Sequence, residues 1–412
     1  MKFTKKQLLV TALTAFSLIA SPSFGQAAEA SRSPAWSKTP AVPKNAMAAV
    51  VIDVQRTMSG ATDILDLLRK NLPPDLCQPV EELDMSIKDV KAECAQKGVN
   101  LDGIEWCMLV IGVCNDFGAN TIEKKIEQIK NSGVVVCMKD TSSVTEFITQ
   151  LLRAMSKAEP LDQRSSSMVS KQRVAGADVF CAGELSFCVV DENQVVVVPR
   201  KYVHWDSERH ESVWSLNEPT IKALVRACRG YGKSGDEFAP ITHFEDGICG
   251  RLLIPDLGSL VDRFGLRENV SDAIARSGDN ELQDTIFKMG SLAVDAKLDS
   301  EVSWCECRLT LATEKDARQL YGLLSSSDLL WRAALDAGMI ALSYNMRDIK
   351  RELVRDGFPV SCVARLEDVA RATRREVSDA VKASISGRTV SLSLKVPVRK
   401  IITAAAAEFR KQ

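Results

Sequence analysis

Histidine is nearly missing from this chain: His204, His210 and His243 are the three in 412 residues. So little imidazole leaves few participants for metal centres or histidine-based acid–base catalysis. The twelve cysteines include no Cys-x-x-Cys pair, which excludes a zinc ribbon or thioredoxin-type motif of that form. No Gly-x-Ser-x-Gly nucleophile elbow occurs either. Past the first twenty residues no apolar run approaches the roughly 18 residues of a membrane-spanning helix. With a formal net charge of -1, the molecule has no bulk attraction to nucleic acid, and none is expected as a partner.

What is present begins at the N-terminus. Lys2, Lys5 and Lys6 precede an apolar run from Leu8 to Ala20, followed by Ser21-Pro22 and the small-residue pattern Ala28-Glu29-Ala30. That order predicts a signal peptide over residues 1–30, export with cleavage, and a periplasmic or secreted protein without a transmembrane helix after cleavage. Residues 31–44, rich in Ser and Pro, read as a flexible lead-in. Most cysteines sit in apolar runs, where the residue behaves as a small buried hydrophobe. One or two disulfides are compatible with export, with no partners assignable.

Composition is ordinary for a folded chain, 45% hydrophobic and 26% charged. Ala46 to Asp53 reads as a buried strand, and Met58, Ala61, Leu65, Leu68 and Leu72 then recur at helical spacing up to Pro73-Pro74. Strands follow at Trp106–Cys114 and Gly133–Met138. Ser143-Val144-Thr145-Glu146 then has capping-box spacing ahead of a helix. Glu184 to Lys201 turns at Asp191-Glu192-Asn193 and closes on Val198-Pro199-Arg200-Lys201. Near the C-terminus, Gly387 to Lys400 repeats the pattern, closing on Val396-Pro397-Val398-Arg399-Lys400. The second half also has a hairpin at Asp299-Ser300, a capped helix at Thr313, and added helices over about 326–356 and 365–385.

The expected fold class is therefore α+β: two related domains, each a mostly antiparallel sheet with helices packed on one face. The first spans residues 45–233 and the second, with extra helices, 234–412, joined near Gly230 to Glu237. This layout resembles uncharacterised exported bacterial proteins with a duplicated α/β domain. The resemblance rests on the leader, the repeated strand and helix order and the valine runs. It implies an architecture and no activity.

Two stretches imitate functional motifs. Gly230-Tyr231-Gly232-Lys233-Ser234-Gly235 matches Gly-x-Gly-x-x-Gly, but it follows a helix where a dinucleotide fingerprint follows a strand, so it reads as a helix cap and linker. His204 and His210 share a segment with Asp206, Glu208 and Glu211 in a spacing that fits no metal motif, and the segment reads as an exposed polar loop. No catalytic, cofactor-binding or metal-ligating set emerges. No cofactor is expected.

Charge is segregated. Residues 345–412 hold 15 Lys and Arg against 8 Asp and Glu, a net of +7, beside an acidic body. The functional expectation is a non-enzymatic binding or scaffold protein of the cell envelope. Arg371, Arg374 and Arg375 are expected on a surface facing an envelope protein or an anionic polymer. The alternative is a hydrolase acting on an extracellular or envelope polymer through paired carboxylates, whose pairing in space a sequence does not display.

Overall fold

The computed structural model describes residues 36–96, 101–113, 131–139, 170–182, 185–206, 211–232, 236–242, 247–263, 289–325, 327–355 and 360–410. The signal peptide expected over residues 1–30 and the helix expected after Ser143 lie outside them.

In chain order the elements begin with β1 (Ala48–Asp53), α1 (Val54–Asn71), α2 (Pro74–Gln96), β2 (Ile104–Ile111) and β3 (Gly133–Met138). The meander β4 (Ser170–Val174), β5 (Ala177–Ala182), β6 (Leu185–Val189) and β7 (Gln194–Pro199) follows. Next come a hairpin of β8 (Lys201–Asp206) and β9 (Glu211–Ser215), α3 (Glu218–Cys228), and a 3-10 segment, Asp236–Thr242. The second half contains β10 (Gly250–Ile254), α4 (Leu257–Arg263), β11 (Met289–Lys297), β12 (Ser303–Leu311) and α5 (Glu314–Leu324). It ends with α6 (Ser327–Arg355), α7 (Val360–Ala364), α8 (Leu366–Val377), β13 (Val381–Ser386), β14 (Thr389–Val396) and α9 (Val398–Arg410).

The fold is mixed α+β, built on an antiparallel sheet with helices packed against it. Among the described residues the strands of both halves join one 12-stranded sheet, in the order β13-β14-β12-β11-β10-β1-β2-β3-β7-β6-β5-β4. The expectation of a separate sheet in each half is corrected here. β1 and β10 pair antiparallel, Val50 opposite Leu252, and close the gap between the halves. Both are short apolar strands, and pairing them satisfies backbone groups that two separate sheets would leave as open edges. Outward from this seam the order is β1-β2-β3-β7-β6 on one side and β10-β11-β12-β14-β13 on the other.

Residues opposite each other across a ladder point to the same face of a sheet. One face thus carries Cys188, Val196, Val135, Met108 and Val51, and continues across the seam as Arg251, Asp295, Glu306 and Ser393. In the first half α3 covers it through Ile221, Leu224 and Val225, while Phe238 and Ile241 of the 3-10 segment complete the same core. On the opposite face of the second half, Val396 packs with Ile401 and Ile402 of α9, and Val390 with Ala317 and Leu320 of α5. Leu67 of α1 also packs with Val396 and Ile401, so a first-half helix completes a second-half core.

Three further expectations are corrected. Residues 36–44 are docked, with Ala41 and Val42 buried, rather than a flexible lead-in. The segment expected as a loop around His204 is the β8–β9 hairpin. The helix expected over 365–385 stops at Val377, and 381–386 pairs with β14 as a strand, because Val381, Ala383 and Ile385 alternate at period two before Gly387 turns the chain at φ 55°.

Candidate functional site

Three consecutive residues of the N-terminal strap dock on three carboxylates. Trp36 Nε1 donates to Asp53 Oδ2 at 3.3 Å. Ser37 donates its backbone N–H and its hydroxyl to Glu105 Oε2, at 2.8 and 2.6 Å. Lys38 forms an ion pair with Asp191. In return Trp106 Nε1 donates to the Lys38 carbonyl at 2.8 Å, and the rings of Trp36 and Trp106 lie 6.2 Å apart, tilted by 51°.

Local structure explains where each carboxylate sits. Asp53 ends β1 and caps α1, accepting from Arg56 N at 2.9 Å. Asp191 shapes the β6–β7 turn, accepting from Asn193 N and Gln194 N. Glu105 occupies a bulge: the register of β2 on β3 jumps from Ile104 opposite Met138 to Trp106 opposite Cys137. The extra residue lets Glu105 and Trp106 both be buried, where strict alternation would turn one of them outward.

Cys137 lies beside this cluster, its Sγ 3.6 Å from Glu105 Oε2 and 3.6 Å from Ser37 Oγ. Burial pushes the thiol up to about 12; the Ser37 hydrogen bond acts the other way, and Glu105 adds to the rise. With the strap docked, the thiol is protonated at neutral pH and unavailable as a nucleophile. Chemically the cluster holds a chain segment in place.

Across the seam, the same face bears a buried charge network. Arg251 forks onto Asp295 through Nε and Nη2, the latter 3.0 Å from Oδ2, and donates Nη1 to the Pro240 carbonyl. Arg308 reaches Asp295 with Nη2 and Glu306 with Nη1, the second at 3.3 Å. Asp295 is 1% exposed and is balanced by two guanidinium groups. Trp304 and Lys395, opposite each other on β12 and β14, flank this network. Burial, and then the neighbouring Lys382, push the Lys395 ammonium down.

The arginines singled out from the sequence lie on α8, and two of the three share a surface. The Arg371 side chain is 61% exposed, 3.2 Å from Asp368 Oδ1, and Arg375 is exposed one turn later. Arg374 instead pairs with Asp336 of α6, and its Nε is buried with no partner. Neighbouring pairs, Lys350 with Glu367 at 2.8 Å and Arg332 with Asp379 at 2.8 Å, offset much of the local positive charge. The Lys350 hydrogen bond and charge hold the Glu367 carboxyl below its ordinary value.

The other motif residues have structural places. Gly230 and Gly232 have φ of 88° and 65° just past α3, where Tyr231 N closes onto the Arg226 carbonyl as in a helix C-cap. Lys233, Ser234 and Gly235 lie outside the described residues, as do His210 and His243, while His204 sits in β8. The ten cysteines whose side chains are described are free thiols. Sequence reasoning missed the strap. Its signal was Trp36 and the pair Ala41-Val42, apolar residues that a solvated linker has no use for.

No family model matches the chain, and no curated protein matches it. Among solved structures it is similar to TP0453 of Treponema. Crystal form I of that protein superposes with a TM-score of 0.34 at 7% identity, over 90% of this chain and 98% of that one. Crystal form IV gives 0.36 at 8% identity, over 91% and 100%. At that superposition the likeness assigns neither activity nor ligand to the present chain.

Proposed function

We propose that this is an exported binding or scaffold protein of the cell envelope, periplasmic or secreted, that acts by holding a partner rather than by turnover. In this reading a leader over residues 1–30 is removed, and residues 45–233 and 234–412 are related α+β units. The like order of strands on either side of the seam supports that relation. Among the described residues no helix is long and apolar enough to cross a membrane.

One observation carries the preference for binding: the buried carboxylates at the centre of the sheet are engaged in structural roles. Asp53 caps a helix, Glu105 holds Ser37, and Asp295 is held by Arg251 and Arg308. Carboxylate-based hydrolysis needs one group free to donate a proton and another free to attack or to activate water. Arg371 and Arg375, exposed on α8, are the proposed contacts to an anionic polymer or an acidic envelope protein. Arg374 would act through the α6–α8 packing.

Crosslinking and co-purification of the native protein identify the partner, and charge reversal tests the surface. Arg371→Glu with Arg375→Glu should weaken binding at least several-fold with the fold intact. Raising the salt should weaken the wild type, because exposed charges are screened within about 8 Å at physiological ionic strength. Salt-insensitive binding unchanged by the reversal would remove α8 from the contact. Turnover of an envelope polymer, lost on changing one carboxylate, would replace the binding reading with the hydrolase.

A further inference from the structure

The first seven described residues, 36–42, are held unlike the sheet they cover. Their anchors are side-chain contacts: Trp36 to Asp53, Ser37 to Glu105, Lys38 to Asp191, and Trp106 to the Lys38 carbonyl. Backbone-to-backbone bonds from the strap to the rest of the fold fall at its base, where Lys44 N donates to the Gly232 carbonyl and Met47 N to the Ile111 carbonyl. The base then runs directly into β1. A segment attached through side chains at one end and backbone at the other can detach at its attached-by-side-chain end without breaking a ladder.

We propose that residues 36–42 are a latch that opens as a unit, about a base at residues 43–47, while the sheet stays folded. Opening uncovers a groove lined by Asp53, Glu105, Trp106 and Cys137. Glu105 is the position most affected. Two of the three hydrogen bonds onto its Oε2 come from Ser37, so the closed latch supplies polar partners that water supplies when it opens. Asp53 and Asp191 depend on it less, since each also accepts from backbone N–H groups of its own cap or turn. The latch therefore closes over a carboxylate that the β2 bulge has turned inward, beside a thiol that the closed state shields completely.

Cys137 reports the motion. Cys181 and Cys188 belong to the same core and are equally buried, but no strap residue hydrogen-bonds to either. The full chain is labelled with a maleimide under native conditions and the modified positions are read by peptide mass spectrometry. Cys137 should react about tenfold faster than Cys181 and Cys188, because local opening reaches it before global unfolding exposes the other two. Ser37→Ala should raise the Cys137 rate a further several-fold, about the effect of one or two lost hydrogen bonds, leaving Cys181 and Cys188 unchanged. Should Ser37→Ala fold poorly, Lys38→Ala, which changes a partly exposed side chain, gives the same comparison. Equal rates at the three cysteines, including none reacting, would overturn the latch. So would a variant that accelerates all three together, since the strap would then open only with the whole core.

Discussion

Asp295 and Glu105 are both buried carboxylates, and their partners set them apart. Asp295 sits opposite Arg251 on the neighbouring strand and also accepts from Arg308, so its charge is balanced within the sheet. Glu105 accepts from a serine and a thiol that carry no charge. Removing one member of a buried ion pair strands the other, at about 3–5 kcal/mol, more than the pair contributes over an apolar replacement. Asp295→Ala should accordingly destabilise the protein by about 3–5 kcal/mol in denaturant titration, because Arg251 is only 4% exposed and would lose its buried counter-charge. A loss below about 1 kcal/mol would mean that Pro240 and solvent already satisfy Arg251. Of these residues the sequence displayed only identities. Arg251 and Asp295 stand 44 positions apart, and no local pattern announces that they meet.

At the scale of elements, the sequence was a good guide wherever the cause is local. Thr313 caps α5 as expected, its hydroxyl accepting from Asp316 N at 3.2 Å, and Ala317 and Leu320 are buried beneath it. The turn at Asp191 also stands where the sequence put it. The error over 365–385 arose from extending one helical period across Ser378–Ala380 into an alternating strand. Gly60 shows a demand that periodicity leaves unseen. A Cβ there would lie 2.3 Å from the Leu298 carbonyl oxygen, because α1 crosses close to the chain leaving β11. Alanine is the better helix former by about 1 kcal/mol, but a backbone clash costs about 1–3 kcal/mol or more. Gly60→Ala should therefore lower the thermal midpoint. An unchanged or raised midpoint would show that α1 can shift away from Leu298.

At the scale of the whole molecule, the halves interlock. They share a sheet through β1 and β10, α1 contributes Leu67 to the core under α9, and Arg410 near the C-terminus donates to the Asn71 carbonyl at 2.7 Å. Neither half can leave without exposing a strand edge and an apolar helix face of the other. Unfolding in denaturant should therefore be one transition, with tryptophan fluorescence and far-ultraviolet circular dichroism coinciding. Two separated transitions would show the seam to be weaker than either flank.

By itself the sequence determined the α+β class, most strands and helices, the caps and the turns, since these follow from periods of two and 3.6 residues and from contacts three or four positions apart. It also displayed the excess of positive charge after Asn345, though not that Arg374 turns toward Asp336 while Arg371 and Arg375 face solvent. Tertiary structure alone decided the pairing of Val50 with Leu252, the docking of Ser37 on Glu105, and the meeting of Arg251 with Asp295. Each joins residues tens to hundreds of positions apart. Such contacts are selected by shared burial and by the satisfaction of backbone and charged groups in three dimensions, and nothing in the residues beside them in the chain records that selection.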